Sequence, residues 1–190
     1  MAAADTTPEV EARSRDDLRR WLAAHHESTA SVWLVTWKKG SDHYVPFPEF
    51  VEELLCWGWV DSLPRKRDDD TTAVRISPRN PKSAWSAVNK ALVEKARTSG
   101  AMTPAGEAAI ARAEANGMWS WLDDVEALIM PDDLARAISD HRDTWDGWAK
   151  TYKRGWLEKI KSARTEATRS KRIAACASSV RADTPRVGLA

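Results

Sequence analysis

At 190 residues, with 43% hydrophobic and 30% charged side chains, the chain is long enough to bury a full core and too apolar to stay disordered. Its net charge of +1 supplies no global field toward nucleic acid or a membrane surface, and no stretch reaches the apolar length of a bilayer span. Met1 to Pro8 lacks the basic start and apolar run of a signal peptide, and two isolated cysteines, Cys56 and Cys176, fit a reducing compartment, so a cytoplasmic protein is expected.

Residues 1–12 are small, polar and Pro-containing and read as a flexible arm. Ser14 is placed to cap a helix whose positions Leu18, Trp21, Leu22 and His25 follow helical spacing. Residues 31–37, rich in Val and Trp, read as a buried strand ended by a polar turn at 38–42. Pro46 and Pro48 open a short helix carrying Phe50, Val51, Leu54 and Leu55, and Gly58 lies just past its end. Trp59 and Val60 predict a second short strand, residues 64–70 a charged hairpin loop, and residues 71–77 a third strand, with Asp61 set opposite Arg75 across the antiparallel pair.

From Ser83 onward the pattern is helical. Ser83 is read as the cap of a helix with Trp85, Val88, Leu92, Val93 and Ala96 inward, ended at Ser99 and Gly100. Thr103 and Pro104 open the next, which runs to about Asn116, and Pro131 opens a short one. Trp145, Trp148, Tyr152, Trp156 and Ile160 form an aromatic stripe, and a basic helix covers about 162–180. The expected fold is α+β and mostly α, with a small three-stranded antiparallel sheet in the N-terminal half, surrounded and followed by helices. The expected organisation is one domain over 13–180, with an α+β part at 13–100, a helical part at 101–180, and a flexible tail at 181–190.

Charge is uneven along the chain. Residues 120–146 carry eight acidic against two basic side chains, and residues 150–186 carry eleven basic against three acidic. The two segments either pair within the fold or leave a cationic face for an anionic partner.

Several chemistries are excluded by pattern. There is no HExxH, no cysteine cluster, no Walker loop, no GxGxxG and no GxSxG, so neither a metal nor a cofactor is expected. The candidate site is the stretch from Cys56 to Asn89. Trp57, Trp59 and Trp85 offer aromatic surface, and Arg75, Arg79 and Lys82 offer charge beside Ser83 at a helix start, a combination suited to an anion. The competing reading is Arg stacked on Trp and paired with Asp68, Asp69 or Asp70. Asp61 and Ser62 fit either a ligand-orienting pair or an Asx-type turn, and Asn89 adds a further polar group.

The blocks Cys56-Trp57-Gly58-Trp59-Val60-Asp61-Ser62, residues 77–90, Met102-Thr103-Pro104-Ala105-Gly106, Asn116-Gly117-Met118-Trp119, Pro131-Asp132-Asp133-Leu134 and the tail from Trp156 to Ile173 occur in that order. Together they resemble the YdeI/OmpD-associated family of bacteriocin-protection-like bacterial proteins, from Trp21 to about Ile173. The resemblance implies a cytoplasmic protein associated with protection against bacteriocins or antimicrobial peptides, and it brings no catalytic residues. The family has Phe where Trp57 stands, so the resemblance also implies an enlarged aromatic wall here. The expected function is resistance or stress protection by binding a small aromatic or anionic ligand or toxin in a Trp- and Arg-lined pocket. Two alternatives stand beside it: a hydrolase with water activated by Asp61 next to Ser62, and a regulatory binder using the basic C-terminal helix. The near-neutral total charge argues against a dedicated nucleic-acid binder.

Overall fold

Ser14 accepts a hydrogen bond from the Asp17 amide at 3.1 Å and caps α1 (Arg15–His25), burying Leu18 and Leu22. The computed structural model describes residues 5–187; residues 1–4 of the expected arm and 188–190 of the expected tail lie outside them. The chain divides into two compact units, Met1–Ser120 and Trp121–Ala190.

The first unit is α+β. Its strands are β1 (Glu9–Glu11), β2 (Val32–Trp37), β3 (Trp59–Lys66) and β4 (Thr71–Pro78), in the sheet order β1-β2-β4-β3. The sheet is mixed and four-stranded, not the expected three-stranded antiparallel one, because β1 adds parallel to β2 with Val10 opposite Leu34. A parallel neighbour needs a crossover, and α1 supplies it. The extra strand comes from the stretch read as an arm, where Ala12 is buried at 1% exposure and donates its N–H to the Val35 carbonyl.

β3 is also longer than expected and runs through Pro64. Pro is tolerated there because β3 is an edge strand, and the register shifts between Asp61 and Pro64. Asp61 therefore pairs with Ile76, and Arg75 pairs with Trp33 on β2. With side chains alternating along a strand, Asp61 and Arg75 face opposite sides of the sheet, and the expected pairing of the two does not form.

One sheet face packs on α1 and on α2 (Phe47–Cys56). Leu18, Leu22, Leu34, Phe50, Leu54, Trp59 and Ile76 form that core. The other side of α2 packs on α3 (Ala87–Thr98) and α4 (Pro104–Ala115), joining Leu55 to Trp85, Val93 and Ile110. The cap of α3 is Ser86, whose Oγ accepts from the Asn89 amide at 3.3 Å, not Ser83. Val88, expected inward, lies in the first turn of α3 and is 69% exposed.

On the sheet's other face Trp33, Val35 and Ala73 are covered by a charged strap. The Arg65 guanidinium lies 4.0 Å over the Trp33 ring and pairs with Glu9 at 2.6 Å, while Asp5 accepts from the Trp33 indole at 2.7 Å. The hydrogen bonds from Thr7, then that from Trp33, hold the Asp5 carboxyl down at about 2 against an ordinary 3.8. A depressed acid stabilises the fold above its unfolded pKa and stops doing so as pH falls through the folded value. Asp5 is therefore expected to release β1 as pH drops from 3.8 toward 2. Hydrogen exchange at the Trp33 amide, bonded to the Pro8 carbonyl at 2.8 Å, reads the release. An Asp5→Asn chain that follows the same acid profile as the native one would refute it.

The second unit is helical: α5 (Asp123–Glu126), α6 (Asp132–Ala137), α7 (Arg142–Gly147), α8 (Lys150–Lys161) and α9 (Glu166–Arg181). Here α9 packs on α6, α7 and α8, and α5 packs on α8. The aromatic stripe is core: Trp145, Trp148, Trp156 and Ile160 are all buried. No helix among the described residues is long and apolar enough to cross a membrane.

Candidate functional site

The candidate residues separate into four places. Trp59 and Trp85 are core residues at 1% exposure. The Trp59 indole donates to the His26 carbonyl at 3.2 Å and meets Trp21 edge-on, while Trp85 carries Arg79 on its ring and has Trp119 5.1 Å away. Arg75 reaches Ser31 at 3.2 Å on the far face of the sheet, and Ser62 donates its hydroxyl to the Arg75 carbonyl, also at 3.2 Å. Asp61 shares the face of Trp59 and lends its charge to Arg79. Lys82 is exposed, and the Ser83 amide closes a turn onto the Asn80 carbonyl. Because α3 starts at Ala87, neither lies at a helix N-terminus, and Asn89 serves the Ser86 cap. Arg stacking on Trp85 is present as the competing reading required, but with Arg79 and without Asp68, which instead closes its own turn at Thr71.

Trp57 lines an open groove. It follows α2 directly, and Gly58 turns the chain with φ +70°, a conformation that favours glycine. A side chain at Gly58 would press on Ala109 and the Ala105 carbonyl, so the turn also lets α4 approach. Thr103 fixes that approach: its Oγ1 donates to the Cys56 carbonyl at 2.5 Å and accepts from the Gly106 amide as the cap of α4. Between the end of α1, Trp57 and the start of α4 lies a groove of about 940 Å³, lined by Arg19, Arg20, His26, Trp57, Met102 and Pro104 with small alanines between. Its floor is mostly apolar, and its volume falls within the roughly 300–1,000 Å³ of small-molecule sites.

The half-buried Trp57 ring is held from two sides. Its indole N–H donates to Glu53 Oε1 at 3.1 Å, the His26 ring lies 4.8 Å away, and the Arg19 guanidinium lies over it at 5.9 Å. Glu53 also accepts from Arg15 Nε and Arg19 Nη1, each at 2.8 Å, and Glu52 pairs with Arg15 at 2.9 Å and with Lys95 at 2.6 Å. Both carboxylates are almost fully buried. Burial favours the neutral Glu52, but the hydrogen bonds from Lys95 and Arg15 outweigh it and hold the carboxyl below its usual range. Sequence reading passed over Glu52 and Glu53. The available signal was two adjacent acids inside the apolar run Phe50 to Leu55, one α-helix away from Arg15 and Arg19 at i, i+4 spacing.

In the second unit the uneven charge is used internally. Arg154 pairs with Glu126 and Glu158 at 2.9 Å, Lys161 with Asp124 at 2.6 Å, and Arg169 grips both oxygens of Asp133 at 2.7 and 2.9 Å. Cys56 and Cys176 are buried free thiols, and burial pushes them up to about 11 and about 12, well away from a reactive thiolate. Among the described residues no group of three or more His, Cys, Asp or Glu is placed to hold a metal.

Residues 10–109, within the first unit, match the family model described as Domain of unknown function (DUF8412), which is more than half of the chain. The chain belongs to this family. Its groove, the Glu52–Glu53 network and, but for Glu9 at the start of β1, its sheet lie inside the DUF8412 match. Residues 127–182, within the second unit, match the model described as Bacteriocin-protection, YdeI or OmpD-Associated. The resemblance expected from Trp21 to Ile173 thus holds over the helical unit, while the sheet unit matches DUF8412. No curated protein and no solved structure matches the chain.

Proposed function

We propose that this DUF8412 protein is a resistance or stress-protection protein that binds a small aromatic molecule carrying an anionic group in the groove at Trp57. The carrying observation is an apolar groove of about 940 Å³ with one indole face fixed at its wall by Glu53. Arg19, Arg20 and His26 line it beside one carboxylate, Glu27; Arg19 already pairs with Glu53 and Arg20 with Asp17, and their remaining guanidinium N–H donors offer a negative group on the ligand its partners. The bacteriocin-protection description of the model matching 127–182 supports the protective role.

The probe for this reading is 2-naphthoate, with naphthalene-2-carboxamide as its uncharged twin, titrated into the full chain by calorimetry. Naphthoate is expected to bind more tightly than the amide, and Trp57→Ala is expected to weaken it about tenfold or more, since losing an aromatic hot spot costs about 2 kcal/mol or more and tenfold is about 1.4 kcal/mol. Equal naphthoate affinity for the native and Trp57→Ala chains would reject the groove as the site. Equal affinity for acid and amide would reject the anionic preference.

A further inference from the structure

Arg79 is the only cationic side chain among the described residues that is nine-tenths buried, at 9% exposure. It follows β4, where its amide donates to the Gly58 carbonyl at 2.9 Å. Its guanidinium lies 4.0 Å over the Trp85 ring, and Nη2 donates to the Ala84 carbonyl at 2.6 Å. The remaining nitrogens, Nε and Nη1, are buried and have no hydrogen-bond partner among the described residues. Together they carry three N–H donors. A buried donor left unmade costs about 1–3 kcal/mol, and more when charged, so native folds nearly always supply an acceptor.

A cleft with room for about one water-sized body opens beside this guanidinium, lined by Arg79, Pro81, Trp85, Ala109 and Arg112. Two features separate a bound anion from a bound water. Among the described residues no carboxylate is hydrogen-bonded to Arg79, and the opposing charge that acts on it is the field of Asp61. Arg112 adds a second cation to the lining, and it is exposed, with no ion pair among the described residues. Asn80 adds a polar group to the lining, the remaining walls (Pro81, Trp85, Ala109 and Ala113) are apolar, and the small space favours a weakly hydrated monatomic ion over phosphate or sulfate.

We propose that this cleft is a binding site for one halide-sized anion, held by Nε and Nη1 of Arg79 with Arg112 at its mouth. The ion ties the loop after β4 to α4, and the site is separate from the groove at Trp57. Burial pushes Arg79 down to about 10, partly offset by Asp61, which still leaves the guanidinium charged at neutral pH.

The test uses the full chain in sodium bromide. Crystals grown in bromide are expected to show an anomalous peak within hydrogen-bond reach of Arg79 Nε and Nη1. In solution, bromide is expected to raise the melting temperature more than fluoride does at equal ionic strength, because a ligand that binds only the folded state stabilises it. Arg79→Lys keeps the charge without the fork and is expected to abolish that difference. If Arg79→Lys does not fold, Arg112→Gln, on an exposed position, is expected to weaken bromide about tenfold. A water in the cleft without anomalous signal overturns the proposal. So does a bromide peak with no halide-specific stabilisation, which marks an adventitious ion only, or a bromide response unchanged in Arg112→Gln.

Discussion

Replacing Glu53 with alanine is expected to destabilise the folded chain by about 3 kcal/mol, the lower end of the roughly 3–5 kcal/mol seen when one member of a buried ion pair is removed. The size follows from what Glu53 holds: Arg15 Nε, Arg19 Nη1 and the Trp57 indole, at 2.8, 2.8 and 3.1 Å. The net worth of those contacts is smaller than the loss on deletion, because taking the carboxylate out of water offsets much of the attraction. Deletion leaves the desolvated donors without an acceptor. The Arg15 and Arg19 side chains keep 26% and 37% of their exposure, so they regain some hydration, which sets the estimate at the low end. Glu53→Gln keeps an acceptor of the same shape and is expected to fall between native and Glu53→Ala. Urea unfolding measures the loss, and naphthoate titration reads the released Trp57. A Glu53→Ala chain within about 0.5 kcal/mol of native would show that the network contributes nothing to stability.

Gly106→Ala is expected to cost about 2 kcal/mol, although alanine is the better helix former by about 1 kcal/mol. A methyl built on Gly106 overlaps the Cys56 carbonyl and comes within 2.6 Å of the Met102 sulfur. Met102 is flexible and can move away. The Cys56 carbonyl is held by both Thr103 Oγ1, at 2.5 Å, and the Thr103 amide, at 3.3 Å, so α4 must shift as a body away from α2. That shift widens the groove, and naphthoate affinity is expected to fall along with stability. Gly147, at the end of α7 with open space around its Cα, is the control, where alanine is expected to change stability by less than about 0.5 kcal/mol. A Gly106→Ala chain as stable as native would show that the two helices are not locked at this crossing.

The candidate site divides along the same line as these two predictions. Trp57 was legible as one of three flat aromatics among the cations of residues 56–89, and it does face the groove. Trp59 and Trp85 carry the same local signal and lie in the core, since burial depends on which helices cover them and not on their neighbours in the chain. Arg79 was legible as a cation near Trp85. Its stranded nitrogens were not, because a missing acceptor is a property of three-dimensional surroundings.

What the sequence by itself determined is the set of local boundaries. Ser14 and Thr103 cap their helices, Pro46 opens and Gly58 closes α2, and Gly100 follows α3. Caps, turns and helix starts are set by a few neighbouring residues, so a single chain declares them. Tertiary structure alone decided that β1 joins the sheet, that a bulge after Asp61 sets Ile76 opposite it, and that Glu52 and Glu53 turn inward to three cations. Strand partners, register and the pairing of buried charge are chosen by contacts between segments far apart in the chain. A three-residue strand with one apolar side chain, or two acids in an apolar helix, carries no local record of the partner it meets.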